Sequence, residues 1–195
     1  MNKLVIASNN AGKLREFQHM LGPLGIEVLT QAQLGISEAD EPHCTFVENA
    51  LAKARHVSRL SGLPSLADDS GICVDELEGA PGVFSARYAG EPKSDRRNND
   101  KLLQALQGVT NRRAHYYCVL VLVRHASDPQ PLIAEGEWHG EIAHEERGDG
   151  GFGYDPMFWL PELGKMSAEL SHDEKAQVSH RAMALKVLLS KLKVM

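Results

Sequence analysis

The chain has 195 residues, of which 43% are hydrophobic and 24% are charged, with 17 glycines and 9 prolines. This composition excludes collagen-like, low-complexity and wholly disordered proteins, and the length favours a single domain with a sizeable core. The formal net charge of -5 argues against nucleic acid or a membrane surface as a partner. It permits a small anionic ligand that is held by a few local cations.

The first residues predict no signal peptide, because only four apolar residues, Leu4 to Ala7, precede a polar turn. The longest apolar run, Cys118 to Val123, has six residues, whereas a membrane-spanning helix needs about 20. Three isolated cysteines form no C-x-x-C pair, so neither a disulfide framework nor a zinc knuckle is indicated. We therefore expect a cytoplasmic protein with no membrane partner.

Strands and helices alternate from the start of the chain. In order, the hydrophobic pattern predicts a strand over 3–7, a helix over 13–21, a strand over 26–30, a helix over 45–60, a short strand over 65–67, a helix over 94–106, strands over 116–124 and 132–138, and a helix over 182–192. Thr45 and Glu48 form a capping box at the start of the second helix. The strand–helix–strand opening favours the α/β class, and no linker divides the chain.

The first candidate site is the turn between the first strand and the first helix, which consists of Ser8, Asn9, Asn10, Ala11, Gly12 and Lys13. Backbone N–H groups at a helix start, beside a lysine, suit a phosphate group. The turn is not a Walker A loop, because the leading glycine is missing and Leu14 stands where Ser or Thr would hold magnesium. The alternative is an ordinary turn with a solvent-exposed lysine.

The second candidate is Asp68-Asp69-Ser70-Gly71, where a short apolar strand is predicted to break into a loop. Paired carboxylates at such a point can hold Mg²⁺, which prefers oxygen ligands. Adjacent side chains of a strand point to opposite faces, which favours one of the two as the main ligand. Asp40-Glu41 offers a further carboxylate. The alternative is a plain turn, since Asp-Ser-Gly is common turn chemistry.

On the second helix, Asn49 and Lys53 are four residues apart and share a face, so both can point at one site. The alternative for Lys53 is a side chain exposed to solvent. Further along, Gly150 to Pro156 form a glycine-rich segment in which Phe152 can stack on a base while Asp155 accepts its N–H donors. The alternative there is a connecting loop with Phe152 in the core.

The last candidate is Lys175 with Ser179-His180-Arg181, upstream of the C-terminal helix. These side chains offer donors that suit carbonyl or phosphate oxygens. On one continuous helix Lys175 and His180 would lie about 140° apart, so their convergence on one ligand requires a break near Ser179. Surface charge is the alternative interpretation.

As an ordered set, these motifs resemble the inosine triphosphate pyrophosphatase family, from Lys3 almost to the C-terminus. The blocks that carry the resemblance are 7–13, 45–50, 67–71, 79–82 with 85–88, 150–156, and Lys175 with 179–181. This chain has Ser8 and Asn9 where the family commonly has Thr and often Gly. Pro42-His43 replaces the usual Thr-Gly or a similar pair.

The resemblance implies an elongated mixed β-sheet flanked by helices. Residues 1–195 would form a single domain with two lobes and the active-site cleft between them, usually as a homodimer. It also implies a reaction that requires Mg²⁺. Water attacks the α-phosphorus of a purine nucleoside triphosphate (ITP, dITP or XTP), and the products are the nucleoside monophosphate and pyrophosphate.

By position, the resemblance implies roles for single residues. Asp69 matches the general base and a metal ligand, and either Asp40 or Glu41 matches the other acidic group. Ser8 to Lys13 match the triphosphate loop, Ser70 adds a contact, and Lys53 is a further phosphate-binding cation. The base-recognition set comprises Phe152, Gly153, Tyr154, Asp155, Lys175, His180 and Arg181.

Two other functions use the same residues: a nucleotide-binding or sensing protein without turnover, and a phosphatase that releases orthophosphate. The retained Asp69 favours an enzyme, because a pure binder needs no base beside a metal. Base specificity would come from the purine 6-carbonyl, which accepts from the backbone, His180 or Arg181. The adenine amine leaves those donors unpaired, at a cost of about 1–3 kcal/mol per buried group.

Overall fold

The structure is a computed structural model that describes residues 3–192. Its strands are β1 (Lys3–Ile6), β2 (Glu27–Thr30), β3 (Ser65–Val74), β4 (Arg113–Val123), β5 (Leu132–Ile142), β6 (Phe158–Leu160) and β7 (Lys165–Met166). Its α-helices are α1 (Ala11–Leu21), α2 (Phe46–Ser61), α3 (Asp95–Ala105), α4 (His172–Val178) and α5 (His180–Leu192).

The seven strands form a mixed sheet in the order β2-β1-β3-β4-β5-β6-β7. At one end β1 pairs in parallel with both β2 and β3, and at the other end β6 pairs antiparallel with both β5 and β7. The apolar residues of β1, from Leu4 to Ile6, are buried, as expected for a strand between two parallel neighbours. The predicted α/β class with a mixed sheet is therefore confirmed.

Two compact units can be distinguished. Among the described residues, the first comprises 3–69, 118–136 and 181–192, and the second comprises 70–117 and 137–180. Each unit has its own hydrophobic core: Phe17, Leu66 and Leu120 belong to the first, and Ile72 and Phe158 belong to the second. The prediction of one domain with two lobes is not tested by this division.

The strand break predicted at Asp68-Asp69-Ser70-Gly71 is wrong, because β3 continues through these residues to Val74. Gly71 serves close packing rather than a turn. A Cβ atom at this position would lie 2.2 Å from the backbone oxygen of Gly82 and 2.5 Å from Ser85 Oγ. The same hydroxyl accepts the Ile72 N–H at 2.9 Å. The acid pair therefore stands inside a strand, with one side chain on each face.

Helix boundaries agree better with the prediction. Thr45 Oγ1 accepts the Glu48 N–H at the start of α2, and Gly62 ends the helix in a left-handed conformation. The predicted break near Ser179 is confirmed, since this residue is extended between α4 and α5. None of the helices within 3–192 combines the length and apolarity that a membrane crossing requires. Cys44, Cys73 and Cys118 are free thiols.

Candidate functional site

The turn after β1 orients Lys13 through local hydrogen bonds. Ser8 Oγ accepts the Asn10 N–H at 3.2 Å, and Asn10 Oδ1 accepts the Lys13 N–H at 3.0 Å, which makes Asn10 the N-cap of α1. The turn thus ends in a capped helix start with a positive dipole end. The strand–turn–helix order is as predicted, and phosphate binding at this turn stays a prediction.

Lys13 belongs to a group of buried, charged side chains on one face of β3. Its Nζ atom lies 3.0 Å from Asp68 Oδ2, and Arg181 Nη2 lies 3.1 Å from the same oxygen. Arg181 also pairs with Glu16 on α1. Asp68 and Arg181 have side chains that are 1% exposed. The structure therefore places Arg181 in the first unit, between two carboxylates.

The opposite face of β3 presents Asp69 to α2. Lys53 Nζ lies 3.1 Å from Asp69 Oδ1 and 2.5 Å from Glu41 Oε1, and Asn49 Nδ2 donates to Asp69 Oδ2 at 3.3 Å. Asn49 also fixes the segment that carries Glu41, because its side chain donates to the His43 carbonyl and accepts the His43 N–H. Asn49 and Lys53 therefore both contact Asp69, as their shared helix face allowed.

Together these side chains form what we call the charged cluster: Lys13, Glu16, Glu41, Lys53, Asp68, Asp69 and Arg181. Burial alone would raise the pKa of Asp68, but Lys13 and Arg181 outweigh burial and hold this pKa far below its usual range. Asp69 differs, because burial raises its pKa and Lys53 and Lys13 only partly oppose that effect. The two adjacent acids therefore differ in their affinity for a proton. Asp68 stays ionised, whereas Asp69 takes up a proton more readily than an ordinary aspartate.

Lys53 stays charged in this environment. Burial would lower its pKa, but the carboxylates of Asp69, Asp68 and Glu41 together raise it above the ordinary value. The charged ammonium group of Lys53 therefore forms ion pairs with both Asp69 and Glu41. Its side chain is only 12% exposed, so the interpretation of Lys53 as a solvent-exposed lysine does not hold.

Two carboxylates of the charged cluster, those of Asp69 and Glu41, are oxygen ligands of the kind that Mg²⁺ prefers. Throughout 3–192, no group of three or more His, Cys, Asp or Glu side chains could hold a metal ion. The carboxylates of Asp69 and Glu41 both contact the Lys53 ammonium group, whereas Asp40 is exposed. Mg²⁺ commonly takes one or two protein carboxylates and completes its shell with phosphate oxygens and water, so a two-carboxylate site is sufficient.

A second group of side chains, in the second unit, surrounds Asp155. This carboxylate is buried and receives four hydrogen bonds. The donors are Lys175 Nζ at 2.5 Å, the Phe152 N–H at 2.8 Å, Ser167 Oγ at 2.9 Å and the Tyr116 hydroxyl at 3.4 Å. We call these residues the Asp155 cluster. Its acid orients a lysine and a loop, and its oxygens are already occupied by the protein's own donors.

Aromatic rings border the Asp155 cluster. Lys175 Nζ lies 5.2 Å from the centroid of the Phe152 ring, within reach of a cation–π interaction. The His180 ring stacks on the Tyr116 ring, with the centroids 4.7 Å apart and an angle of 9° between the planes. The centroid of the Trp138 ring lies 6.4 Å from that of His180. Phe152 is half-buried, whereas His180 is 5% exposed. Aromatic rings and the Lys175 ammonium group therefore lie close together beside Asp155.

The structure thus divides the predicted site residues between two groups. Lys13, Lys53, Glu41, Asp69 and Arg181 lie in the charged cluster, and Phe152, Asp155, Lys175 and His180 lie in the second unit. Tyr154 is buried and donates its hydroxyl to the Ser85 carbonyl at 2.8 Å. Ser70 follows Asp69 in β3 and is half-buried.

Sequence reasoning missed Glu16, Tyr116 and Ser167. The position of Glu16 on α1, three residues after Lys13, was an available signal, since such residues lie on one helix face. Ser167 and Tyr116 carried no comparable signal. They reach Asp155 from distant parts of the chain, at sequence separations of 12 and 39 residues.

Comparisons with known proteins cover both groups of residues. The sequence profile of the Ham1 family matches residues 4–191. The dITP/XTP pyrophosphatase of Nitrosomonas europaea is 68% identical over 98% of this chain and 95% of that protein, and that of Ralstonia nicotianae is 64% identical over 100% and 98%. A HAM1 protein from Coxiella burnetii has a similar solved structure, with a TM-score of 0.92, 45% identity and 100% coverage of both chains.

Proposed function

Because the chain belongs to the Ham1 family, we propose that it hydrolyses dITP, XTP and ITP to the nucleoside monophosphate and pyrophosphate. The reaction would remove deaminated purine nucleotides from the nucleotide pool. The observation that carries the proposal is the placement of Asp69, which Lys53 and Asn49 hold at 3.1 and 3.3 Å in the charged cluster.

Asp69 acts as the general base in this mechanism. Lys53 and Asn49 hold its carboxylate in a fixed orientation, from which it accepts a proton from water during attack on the α-phosphorus. Lys53 keeps the carboxylate in place and offsets the negative charge that collects on the phosphate oxygens. Asn49 donates to the second carboxylate oxygen, which directs the first toward Lys53 and the reacting water.

The leaving pyrophosphate is held by the turn that precedes α1. Lys13 and the backbone N–H groups of Ala11 and Gly12 at the start of α1 offer donors to the β- and γ-phosphates. Asp68 and Arg181 support this arrangement from behind, since Asp68 contacts Lys13 and Arg181 supplies a counter-charge. We assign Arg181 to this support, and the base-recognition role that its motif implied stays a prediction.

Asp69 and Glu41 would hold Mg²⁺, and bound Mg²⁺ would offset charge on the triphosphate. Glu41 is preferred over Asp40 as the second ligand, because Glu41 shares Lys53 with Asp69 and Asp40 is exposed. Ser70 would add a contact to the phosphates beside Asp69. Placement in the cytoplasm and assembly as a homodimer stay predictions of the sequence.

The Asp155 cluster would recognise the base. Phe152 offers a ring face for stacking, and Lys175 and His180 offer polar groups to the edge of a purine. Asp155 contributes by holding Lys175 at 2.5 Å and the Phe152 N–H at 2.8 Å. A 6-carbonyl can accept from such donors, whereas an adenine amine leaves a donor unpaired.

The proposed reaction is tested by product analysis in H₂¹⁸O. The protein is incubated with ITP, XTP, dITP, GTP and ATP, with and without Mg²⁺. We expect pyrophosphate as the direct product, ¹⁸O in the nucleoside monophosphate, dependence on Mg²⁺, and faster turnover of ITP, dITP and XTP. Orthophosphate as the direct product, or equal rates on ATP and ITP, would overturn the proposal. Binding without turnover would favour a nucleotide sensor.

A further inference from the structure

Two side chains of α3 form hydrogen bonds with the backbone of Gly153, one with its N–H group and one with its carbonyl oxygen. Asp95 Oδ2 accepts the Gly153 N–H at 2.8 Å, and Asn99 Nδ2 donates to the Gly153 carbonyl at 3.2 Å. Asp95 and Asn99 are four residues apart on α3 and therefore lie on one face of the helix. Both hydrogen bonds act on the residue that follows Phe152, so they fix the backbone next to this ring.

Asn99 also reaches the other end of the same loop. Its Nδ2 atom donates to Glu146 Oε1 at 2.8 Å, so one amide group contacts both Glu146 and Gly153. Both partners are acceptors, which defines the orientation of the amide. Asn99 is 4% exposed, whereas Glu146 is exposed, so a buried amide group holds a loop at the surface. We call residues 146–153 the glycine-rich loop.

The glycine-rich loop packs closely on Ala168 along one side: the Gly150 N–H donates to the Ala168 carbonyl at 3.1 Å, and a Cβ atom at Gly148 would lie 2.9 Å from that carbonyl carbon. Its other side faces open space. A cavity of about 530 Å³ is lined by residues of α3 and by most of this loop, so empty space replaces side-chain contacts along that side. Gly153 has a φ angle of +62°, a conformation that most other residues avoid. On the side that faces the cavity, the hydrogen bonds to α3 supply the contacts that side-chain packing does not, and they restrict the backbone around Gly153.

We propose that Asn99, with Asp95, is a positioning residue for base recognition, which holds the glycine-rich loop so that Phe152 presents its ring to the purine. Neither residue touches the substrate; both act through the backbone of Gly153. The effect on substrate affinity rests on the proposed function, whereas the effect on loop order does not. Loss of Asn99 is expected to weaken binding of the base and to leave the charged cluster unchanged.

The test compares Asn99→Ala with Asn98→Ala. Asn98 is a matched control, because this neighbour is also buried, and its side chain contacts Ala86 and Ala89 instead of the glycine-rich loop. We expect Asn99→Ala to speed amide hydrogen exchange across the glycine-rich loop and to raise KM for ITP about five- to tenfold at nearly constant kcat. Asn98→Ala should lower Tm and leave both loop exchange and KM unchanged.

A double variant identifies the route of the effect. If Asn99 acts through Phe152, adding Asn99→Ala to Phe152→Ala raises KM no further. Unchanged loop exchange in Asn99→Ala, an equal change in Asn98→Ala, or additive effects on KM would each overturn the proposal. The exchange measurement needs no substrate, so it remains decisive even if the wild-type protein fails to hydrolyse ITP.

Discussion

The charged cluster and the Asp155 cluster both contain buried ions, but they balance charge differently. In the charged cluster, four carboxylates meet three cations: Glu16, Glu41, Asp68 and Asp69 against Lys13, Lys53 and Arg181. In the Asp155 cluster one carboxylate meets one lysine, neutral donors and aromatic rings. The first arrangement suits a substrate group with several charges, and the second suits a flat, uncharged one.

The difference shows how an acidic protein can bind a polyanion. The net charge of -5 describes the whole chain, whereas the binding of phosphate depends on the few cations that surround it. Those cations are kept in place by acids of the same cluster. We therefore expect substitutions in the charged cluster to affect turnover and stability, and substitutions near the Asp155 cluster to affect substrate affinity.

The largest effect is expected for Asp69→Asn. This change removes the base but keeps the shape of the side chain, so kcat should fall by about 10²- to 10⁴-fold while ITP still binds. Steady-state release of pyrophosphate and equilibrium binding of ITP measure the two quantities. Asp40→Asn, at an exposed acid, is the control and should retain nearly normal kcat. A near-normal rate in Asp69→Asn would remove this residue from its role.

Asp68→Asn is expected to act on stability. It leaves Lys13 and Arg181 without one carboxylate, and the loss of one member of a buried ion pair costs about 3–5 kcal/mol. We expect a value near the lower end, because Arg181 keeps Glu16. Denaturant unfolding gives the difference. Glu27→Gln, which breaks the exposed pair with Lys3, should cost below about 1 kcal/mol.

The same substitution has a pH signature. The pKa of Asp68 in the folded protein lies far below that in the unfolded chain, so its contribution to stability is present above about pH 4 and is lost as the pH falls further. The difference in unfolding free energy between the wild type and Asp68→Asn should be constant from pH 5 to 8 and shrink below about pH 4. A difference that stays constant from about pH 4 down to the lowest accessible pH would contradict this account.

A smaller effect is expected for Phe152→Ala. Base–aromatic stacking contributes about 1–3 kcal/mol, so KM for ITP should rise by roughly 5- to 150-fold, with a lesser change in kcat. Steady-state kinetics measure both constants. Phe84→Ala, at an exposed ring outside both clusters, is the control. An unchanged KM in Phe152→Ala would mean that the ring only packs in the protein.

How much the sequence could predict depended on whether the signal was local. The capped start of α2, the break at Ser179 and the shared face of Asn49 and Lys53 depend on neighbouring residues, and all three are confirmed. The ordered motifs also identified the family correctly. By contrast, the sequence predicts a strand break at 68–71 where β3 continues, because the close approach of Gly82 to Gly71 cannot be read from nearby residues.

The same limit applies to the candidate site. Arg181 and Glu16 are 165 positions apart, and no periodicity connects them. The four donors to Asp155 include Tyr116 and Ser167, which only the fold brings together. Sequence spacing could therefore name the chemical groups, whereas which acid pairs with which cation required the three-dimensional arrangement.

In the proposed function, the charged cluster binds the phosphates and the Asp155 cluster binds the base. This assignment is tested most directly with the two halves of a substrate. Inorganic tripolyphosphate lacks the base, and inosine lacks the phosphates, so each can be used as a competitive inhibitor of ITP hydrolysis. We predict that Lys53→Met raises the inhibition constant of tripolyphosphate and leaves that of inosine unchanged, whereas Phe152→Ala does the reverse. If either variant changes both constants by the same factor, the two groups do not act on separate parts of the substrate.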